Sequence, residues 1–346
     1  MMKIAILGRW NATCGASLHA ELIGREFIKM GHELIVFAPT FKSANKWWHH
    51  KIIMEDEDFV IRAYEEDDPR GGSGKIYNEK LLSENFDFLI VESYRGLPCR
   101  EVERILPEIK KRSKVIVVLH EGKKEDLKYR NVEEFDAVVV FDRRYIDEVC
   151  NAKNVYVIPY PCYPLTKPRE VERRGAKKIF FSFGRQPEFE YMDYIKALRE
   201  LRSRYDLVYR IVRSNGMLHV KERWIEQIRK RLTIEEIYDF LNRSDIHLLP
   251  KGSTESVVVS STVYQCLGSL CPIIAPKARY FETLPEEHGV KPVVLYTDIE
   301  DLKRKIVRLL EDDSYRNAVL RAAEKFVKEN SSEVVAKKFI ELYQKL

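Results

Sequence analysis

An arginine in the second half of the sequence directly follows a short apolar segment. Arg185 comes after IFFSFG, and a short, nearly continuous apolar run of this kind is typical of a buried strand. In an open parallel sheet, ligands bind at the carboxyl ends of the strands. Because a guanidinium presents a planar fork of donors that matches phosphate oxygens, we predict that Arg185 binds a diphosphate. The alternative is an ordinary surface arginine.

A group of hydroxyl side chains follows a later strand of the same kind. Ser260, Ser261 and Thr262 open a predicted helix after the apolar run DIHLL and the loop PKGSTES. Hydroxyls and free backbone N–H groups at the start of a helix favour phosphate binding. Gln265 lies four residues after Ser261 and shares its helical face, so a ligand at the helix start would also reach Gln265. An ordinary Ser/Thr helix cap is the alternative.

Four further candidate residues lie where predicted strands end. Lys251 and Glu255 belong to the loop after DIHLL, and His120 ends KVIVVLH. A histidine at such a rim can hold a hydroxyl or relay a proton, although a lone histidine is more often structural. Gly15 lies in GRWNATCGAS after the first predicted strand, where the backbone of a helix start can approach a ligand. This segment lacks the G-x-G-x-x-G dinucleotide pattern, and a simple turn is the alternative.

The elements around these residues alternate between strand and helix. The segments KIAILG, HELIVFAP, FDFLIVES, KVIVVLH and DAVVVF are nearly continuous in apolar residues, which indicates parallel strands buried on both faces. The proline-rich segment PYPCYPLTKPREVERRG separates this series from a second one that begins with KKIFFSFG. We therefore predict an α/β chain of two Rossmann-like domains, with parallel sheets that face one another across a cleft. The predicted domains are 1–165 and 166–331, and we expect the C-terminal helix 332–346 to pack back onto the first.

Composition excludes several classes of protein. The 346 residues carry a net charge of +5, which is too modest to indicate nucleic-acid binding. No apolar run approaches the ~18 residues of a membrane span, and the six cysteines without C-x-x-C spacing favour reduced thiols in the cytoplasm. The richness in Lys, Arg and Glu resembles heat-adapted proteins. The acid-rich segment 55–68 is expected to be a solvated face.

One segment concentrates the positive charge. Residues 196–231 contain eleven Lys or Arg against four Asp or Glu. Such a surplus can attract anionic lipid, so we predict peripheral contact with the inner face of a membrane, and the alternative is a solvated helical face.

Taken together in their order, these segments resemble the metal-independent, retaining glycosyltransferases of family four. The resemblance rests on CGASLHAELIGREFIKMGHELIVFAP, KVIVVLHEG, NVYVIPYP, FGR, DIHLLPKGSTES and CLGSLCPIIAP, and it covers nearly the whole chain. It implies that the first domain holds the acceptor and the second a nucleotide-diphosphate sugar. It also implies that Gly15 lies near the donor phosphates, His120 near the transferred sugar and Arg185 at the diphosphate, and that neither a metal nor a cofactor takes part.

Three positions depart from the family pattern at the same donor site. Tyr191 stands where the family usually has a lysine, and Lys251 or Arg213 is the candidate replacement. Gln265 stands where the family has the second of two glutamates. Val257 occupies the place of the first glutamate, and Glu255 lies close to it.

The resulting expectation is a transferase that moves a hexose to a glycan, lipid or small-molecule acceptor. The alternative is a non-catalytic protein that binds a sugar nucleotide or a glycan and has kept the fold.

Overall fold

A computed structural model of the chain describes residues 1–47, 50–68, 70–166 and 177–346. The chain divides into two compact units. Unit 1 comprises Met1–Pro161, Ser256–Ser261 and Asn330–Leu346, and unit 2 comprises Cys162–Glu255 and Thr262–Glu329. The predicted proline-rich linker runs into 167–176, which lie outside the described residues.

Unit 1 contains a sheet of eight strands. Their bounds are β1 Lys3–Leu7, β2 Glu33–Pro39, β3 Val60–Glu65, β4 Lys75–Ile76, β5 Phe88–Ser93, β6 Lys114–Leu119, β7 Ala137–Val140 and β8 Val155–Val157. The spatial order is β4-β3-β2-β1-β5-β6-β7-β8. Only the β3–β4 pair of this sheet is antiparallel. The chain winds outward from β1 in one direction and then from β5 in the other, so the order reverses between these two strands.

Unit 2 contains a sheet of six parallel strands. Their bounds are β9 Lys178–Gly184, β10 Leu207–Arg213, β11 Ile225–Arg229, β12 Ile246–Leu248, β13 Ile273–Pro276 and β14 Val294–Tyr296. The spatial order is β11-β10-β9-β12-β13-β14, which is the doubly wound 3-2-1-4-5-6 order of dinucleotide-binding folds. Here the order reverses between β9 and β12.

Helices connect the strands of both units. Their bounds are α1 Gly15–Lys29, α2 Phe41–Ala44, α3 Asn78–Leu82, α4 Cys99–Ile109, α5 Arg143–Glu148, α6 Met192–Leu201, α7 Ile234–Asn242, α8 Ser261–Cys266, α9 Ile299–Glu311, α10 Asp313–Glu329 and α11 Ser332–Lys345. Among the residues that the structure describes, no helix is both long and apolar enough to cross a membrane.

The apolar pattern of each element explains its burial. All six residues of β5 are buried, as expected for a strand covered on both faces. Helix α1 buries Ile23 and Phe27 completely, and each such side chain contributes about 1.5–3 kcal/mol on removal from water. Helix α11 packs on α1, where Ser332 Oγ donates to Glu26 Oε1 at 3.0 Å.

Three strands lie in segments where no strand is predicted, and one of them is the two-residue β4, Lys75–Ile76. The acid-rich segment 55–68, expected to be a solvated face, contains β3, and Glu66 in the same segment is buried against Arg9. The acidic residues of this segment predict a solvated face. In the structure they pair with arginines of unit 1, as Asp56 does with Arg62. Strand β11 is an edge strand with the polar sequence IEQIR, which lacks the apolar run of the central strands.

Candidate functional site

Two predicted cations lie at the order reversal of the unit 2 sheet. Arg185 directly follows β9 and Lys251 follows β12, which pairs with β9. The Arg185 peptide is fixed on both sides: its N–H donates to Gln186 Oε1 at 3.0 Å, and its carbonyl accepts from Asn215 Nδ2 at 2.9 Å. The carboxyl ends at such a reversal are where open α/β sheets bind ligands. The structure therefore brings Arg185 and Lys251 together in the region that favours an anion.

The ammonium of Lys251 has an unusual electrostatic setting. Burial lowers its pKa to about 8, Glu190 raises that pKa in part, and Arg185 lowers it further. Lys251 Nζ also lies 4.7 Å from the centroid of the Tyr280 ring, a separation at which a cation is attracted to an aromatic face. Lys251 is therefore mainly charged at neutral pH and titrates just above it.

Glu190 belongs to this cluster although it is not among the residues predicted from the sequence. It lies in a 3-10 turn, Glu188–Tyr191, after β9. Burial raises the pKa of its carboxyl, whereas Lys251 and the Gly252 N–H lower it. A Cβ atom at Gly252 would lie only 2.7 Å from Glu190 Oε1, so the glycine makes room for the carboxylate. A glutamate in a short polar turn carries no sequence signal of this placement.

A third cation lies at the end of the neighbouring strand. Arg213 is the last residue of β10, pairs in register with Gly184 of β9 and is 6 % exposed. Its Nη1 and Nη2 donate to the carbonyls of Gly216 and Gln186 at 2.9 and 2.8 Å. Its guanidinium carbon lies 5.3 Å from the centroid of the buried Tyr191 ring. The Nε atom is buried without a hydrogen-bond partner among the described residues. Arg213 thus places a permanent positive charge beside Tyr191.

The remaining predicted residues of unit 2 have other surroundings. Glu255 is exposed, and its main-chain carbonyl accepts a hydrogen bond from Arg279. Thr262 and Gln265 are half-buried on α8. The carbonyl of Gln265 accepts from Tyr238 Oη at 2.8 Å. Roles for these three side chains in donor binding remain predictions.

Two other predicted residues meet in unit 1 at the start of α1. A Cβ atom at Gly15 would lie 3.4 Å from Ser261 Cβ and Oγ. Tyr160 Oη donates to the Gly15 carbonyl at 2.6 Å, and Ser260 is almost completely buried. Gly15 and Ser261 are therefore neighbours, as expected if both approach one ligand.

His120 also belongs to unit 1 and follows β6 directly. Its Nε2 lies 2.6 Å from Glu92 Oε2, and His19 Nδ1 lies 2.7 Å from Glu92 Oε1. Burial alone would raise the pKa of Glu92, but the His19 charge and hydrogen bonds from both histidines outweigh it and lower the pKa to about 2. The Glu92 carboxyl is therefore ionised across the working pH range and holds both rings.

Aromatic side chains surround the two histidines. The Phe141 ring centroid lies 5.0 Å from that of His120 and 5.4 Å from that of His19. Tyr160 and Phe339 approach the His19 ring at 5.4 and 5.9 Å. Glu92 and His19 are not among the residues predicted from the sequence. The one available sign was a carboxylate inside the otherwise apolar FLIVES.

Part of the basic segment 196–231 is paired with carboxylates. Arg199, Arg204, Arg210 and Lys230 each form an ion pair, with Glu222, Glu311, Glu226 and Glu236 respectively. These pairs reduce the local surplus of charge and favour the solvated-face alternative over the predicted contact with lipid.

Comparisons with known proteins bear on the fold and on the class of protein. Residues 188–341 match the family model described as glycosyl transferase-like. Similar solved structures include an alpha-glucosyltransferase in complex with UDP and a 13-mer DNA (16% identity, 99% of each chain, TM-score 0.69). They also include sucrose-phosphate synthase from Thermosynechococcus elongatus (13%, 100% of this chain and 99% of that one, 0.65), and Anabaena HepE with UDP-glucose (15%, 100% of each, 0.63). These findings confirm the predicted two-domain α/β fold, and the match over 188–341 agrees with the predicted glycosyltransferase class.

Proposed function

We propose that this chain transfers a sugar from a uridine diphosphate sugar to a hydroxyl acceptor. The observation that carries the proposal is the set of three cations at the carboxyl ends of adjacent strands: Arg213 at the end of β10, Arg185 after β9 and Lys251 after β12. The similar structures that contain UDP or UDP-glucose support uridine as the base.

The chemistry of such a transfer suits a cluster of cations. The bond between the sugar carbon and the diphosphate oxygen breaks, and its electron pair stays on the diphosphate. The acceptor oxygen forms a new bond to that carbon and gives up its proton to an oxygen of the departing diphosphate. Negative charge therefore grows on the departing phosphate, where fixed positive groups stabilise the transition state most. In this proposal the three side chains supply the charge that a divalent metal provides in other enzymes.

The altered positions fit a working donor site. Arg213 supplies beside Tyr191 the charge that the family lysine would carry. At Gln265 an amide still accepts and donates hydrogen bonds, so its replacement of a carboxylate costs about 1–2 kcal/mol, or roughly tenfold in affinity. Retention of configuration follows from the resemblance to family four and is part of the proposal.

The acceptor side is assigned to unit 1. His120, fixed by Glu92, would hold a hydroxyl of the acceptor or of the transferred sugar. The acceptor is a glycan, a lipid or a small molecule that bears such a hydroxyl.

Thermal unfolding of the chain with UDP, GDP, ADP and the corresponding sugar nucleotides tests which donor class it binds. Release of free UDP is then measured with each UDP-sugar that stabilises the chain. We expect stabilisation by UDP compounds and slow hydrolysis of one of them to UDP. Arg185→Met should lose both effects, whereas Arg210→Met, in the same unit but paired with Glu226, should lose neither. Stabilisation without turnover would support the non-catalytic alternative.

A further inference from the structure

We propose that Glu92 is a positioning residue that holds His120 in the Nε2–H tautomer, so that Nδ1 is the ring nitrogen that accepts a hydrogen bond from a substrate hydroxyl. The role in transfer rests on the proposed function, whereas the tautomer itself does not.

The hydrogen-bond pattern around Glu92 carries this inference. An ionised carboxylate only accepts hydrogen bonds, so each ring nitrogen that faces it must carry a proton. Glu92 Oε2 faces His120 Nε2 at 2.6 Å, and Glu92 Oε1 faces His19 Nδ1 at 2.7 Å. In neutral His120 the proton is therefore on Nε2, and Nδ1 has a free lone pair. The His120 side chain is 12 % exposed, in contrast to His19 and Glu92, which are fully buried.

The backbone beside Glu92 is shaped to fit this side chain. A Cβ atom at Gly8, the residue after β1, would lie 2.8 Å from Glu92 Cβ and 2.9 Å from its Cγ. Only a glycine leaves this space for the carboxylate at the order reversal between β1 and β5. Burial of a charged carboxylate is unfavourable unless partners compensate it. An apolar side chain would serve a core position better, so this arrangement points to a task beyond packing.

His19 fixes the second oxygen of the carboxylate. Its Nε2 atom is buried without a hydrogen-bond partner among the described residues, which is itself unfavourable. The rings of Phe141, Tyr160 and Phe339 confine His19. With His19 held in place, Glu92 cannot turn away from His120, and the His120 ring keeps one orientation.

The three side chains also have the composition of a metal site, because their ligand atoms lie within 4.8 Å of one another. Tetrahedral zinc with bonds of about 2.0–2.1 Å separates its ligand atoms by roughly 3.3 Å. The separations of 2.6 and 2.7 Å from the histidine nitrogens to Glu92 are those of charge-assisted hydrogen bonds. The geometry therefore favours the positioning role over a metal.

The Glu92→Gln variant distinguishes a role in positioning the His120 ring from a role in packing. Glutamine has nearly the same shape, but its amide offers one acceptor oxygen and one donor nitrogen. It can accept from only one of the two rings, and the other ring must present a bare nitrogen. The Nε2–H tautomer of His120 is then no longer enforced. The matched control is Glu26→Gln, which changes another buried carboxyl of unit 1, one that contacts Ser332 and Lys29 instead of histidines.

The first measurement is the 15N–1H spectrum of histidine side chains in the unaltered chain, with the His120 signals assigned by loss in His120→Gln. We expect the Nε2–H tautomer of His120. The Nδ1–H tautomer would overturn the proposal, and so would stoichiometric Zn²⁺ binding that His19→Gln abolishes. This measurement needs neither activity nor a folded Glu92 variant. It therefore decides the tautomer even if no sugar nucleotide is turned over, an outcome that counts against the proposed function alone.

The second measurement is turnover of the sugar nucleotide that the unaltered chain consumes. Glu92→Gln should lower kcat by roughly 10²–10⁴ and leave KM for the donor within about twofold, because the diphosphate cations belong to unit 2. Glu26→Gln should retain kcat. A folded Glu92→Gln protein that keeps most of its kcat would refute the positioning role.

Discussion

The affinity of the chain for UDP should fall as the pH rises from 7 to 9, and Lys251 should be the cause. Its pKa is about 8 because burial disfavours the charged form. Lys251 is then about nine-tenths protonated at pH 7 and about one-tenth at pH 9. A terminal phosphate with a second pKa of about 6 is already about nine-tenths doubly ionised at pH 7, and Arg185 and Arg213 keep their charge. Lys251 is thus the member of the cation cluster that changes charge in this window.

The size of the change follows from the strength of the contact. A hydrogen bond to a charged group is worth about 1.5–3 kcal/mol, so the protonated form of Lys251 should bind UDP roughly 10–150 times more tightly than the neutral form. Weighted by the protonated fractions at the two pH values, UDP affinity should drop about five- to tenfold between pH 7 and 9.

Isothermal titration calorimetry with UDP at pH 7, 8 and 9, on the unaltered chain and on Lys251→Met, measures this dependence. The variant should bind UDP more weakly at pH 7 and show a flat profile. Its stability should not fall at pH 7, because a lysine whose folded-state pKa is depressed destabilises the folded chain while it is protonated. An equal slope in both proteins would refute the assignment of Lys251 to the diphosphate.

Three further predictions concern single side chains. Arg213→Met should weaken UDP binding by about 1.5–3 kcal/mol in the same titration, whereas Arg210→Met, on the same strand and paired with Glu226, should leave it unchanged; equal losses would assign Arg213 to structure alone. Gly8→Ala should cost about 1–3 kcal/mol in urea unfolding, because its methyl group would overlap Glu92. Gly15→Ala, with an ordinary 3.4 Å contact, should cost less, and the reverse ranking would contradict the packing described. Gln265→Glu should keep or raise UDP affinity by up to about tenfold, and a large loss by calorimetry would show that the amide is specifically required.

The apolar strands were the part of the fold that the sequence predicts best. FLIVES and KVIVVL form β5 and β6, because a nearly continuous apolar run is typical of a strand that is buried on both faces. The strand β3 is harder to predict, because its acid-rich flanks look solvated until their arginine partners are known. The strand β11 lies at the edge of its sheet. It has no continuous apolar run because most of its side chains are partly or fully exposed.

The candidate site was predictable only where a residue follows a strand directly. Arg185 and His120 do so, and the rule about carboxyl ends of strands identifies them. Glu92 and His19 are 73 residues apart in sequence and meet only because β5 lies beside β1 and α1 covers that pair. The contact between Arg213 and Tyr191 likewise depends on the pairing of β9 with β10. No local pattern encodes such contacts between distant segments.

The most direct test of the central claim is a proton NMR time course of UDP-sugars with the chain. We predict that at least one UDP-sugar is consumed and releases UDP, that an added acceptor hydroxyl speeds the release, and that the anomeric configuration of the donor is retained in the product. Arg185→Met should abolish the release. A folded chain that bound UDP tightly and consumed none of the UDP-sugars over many hours would contradict the proposed transfer from a uridine diphosphate sugar.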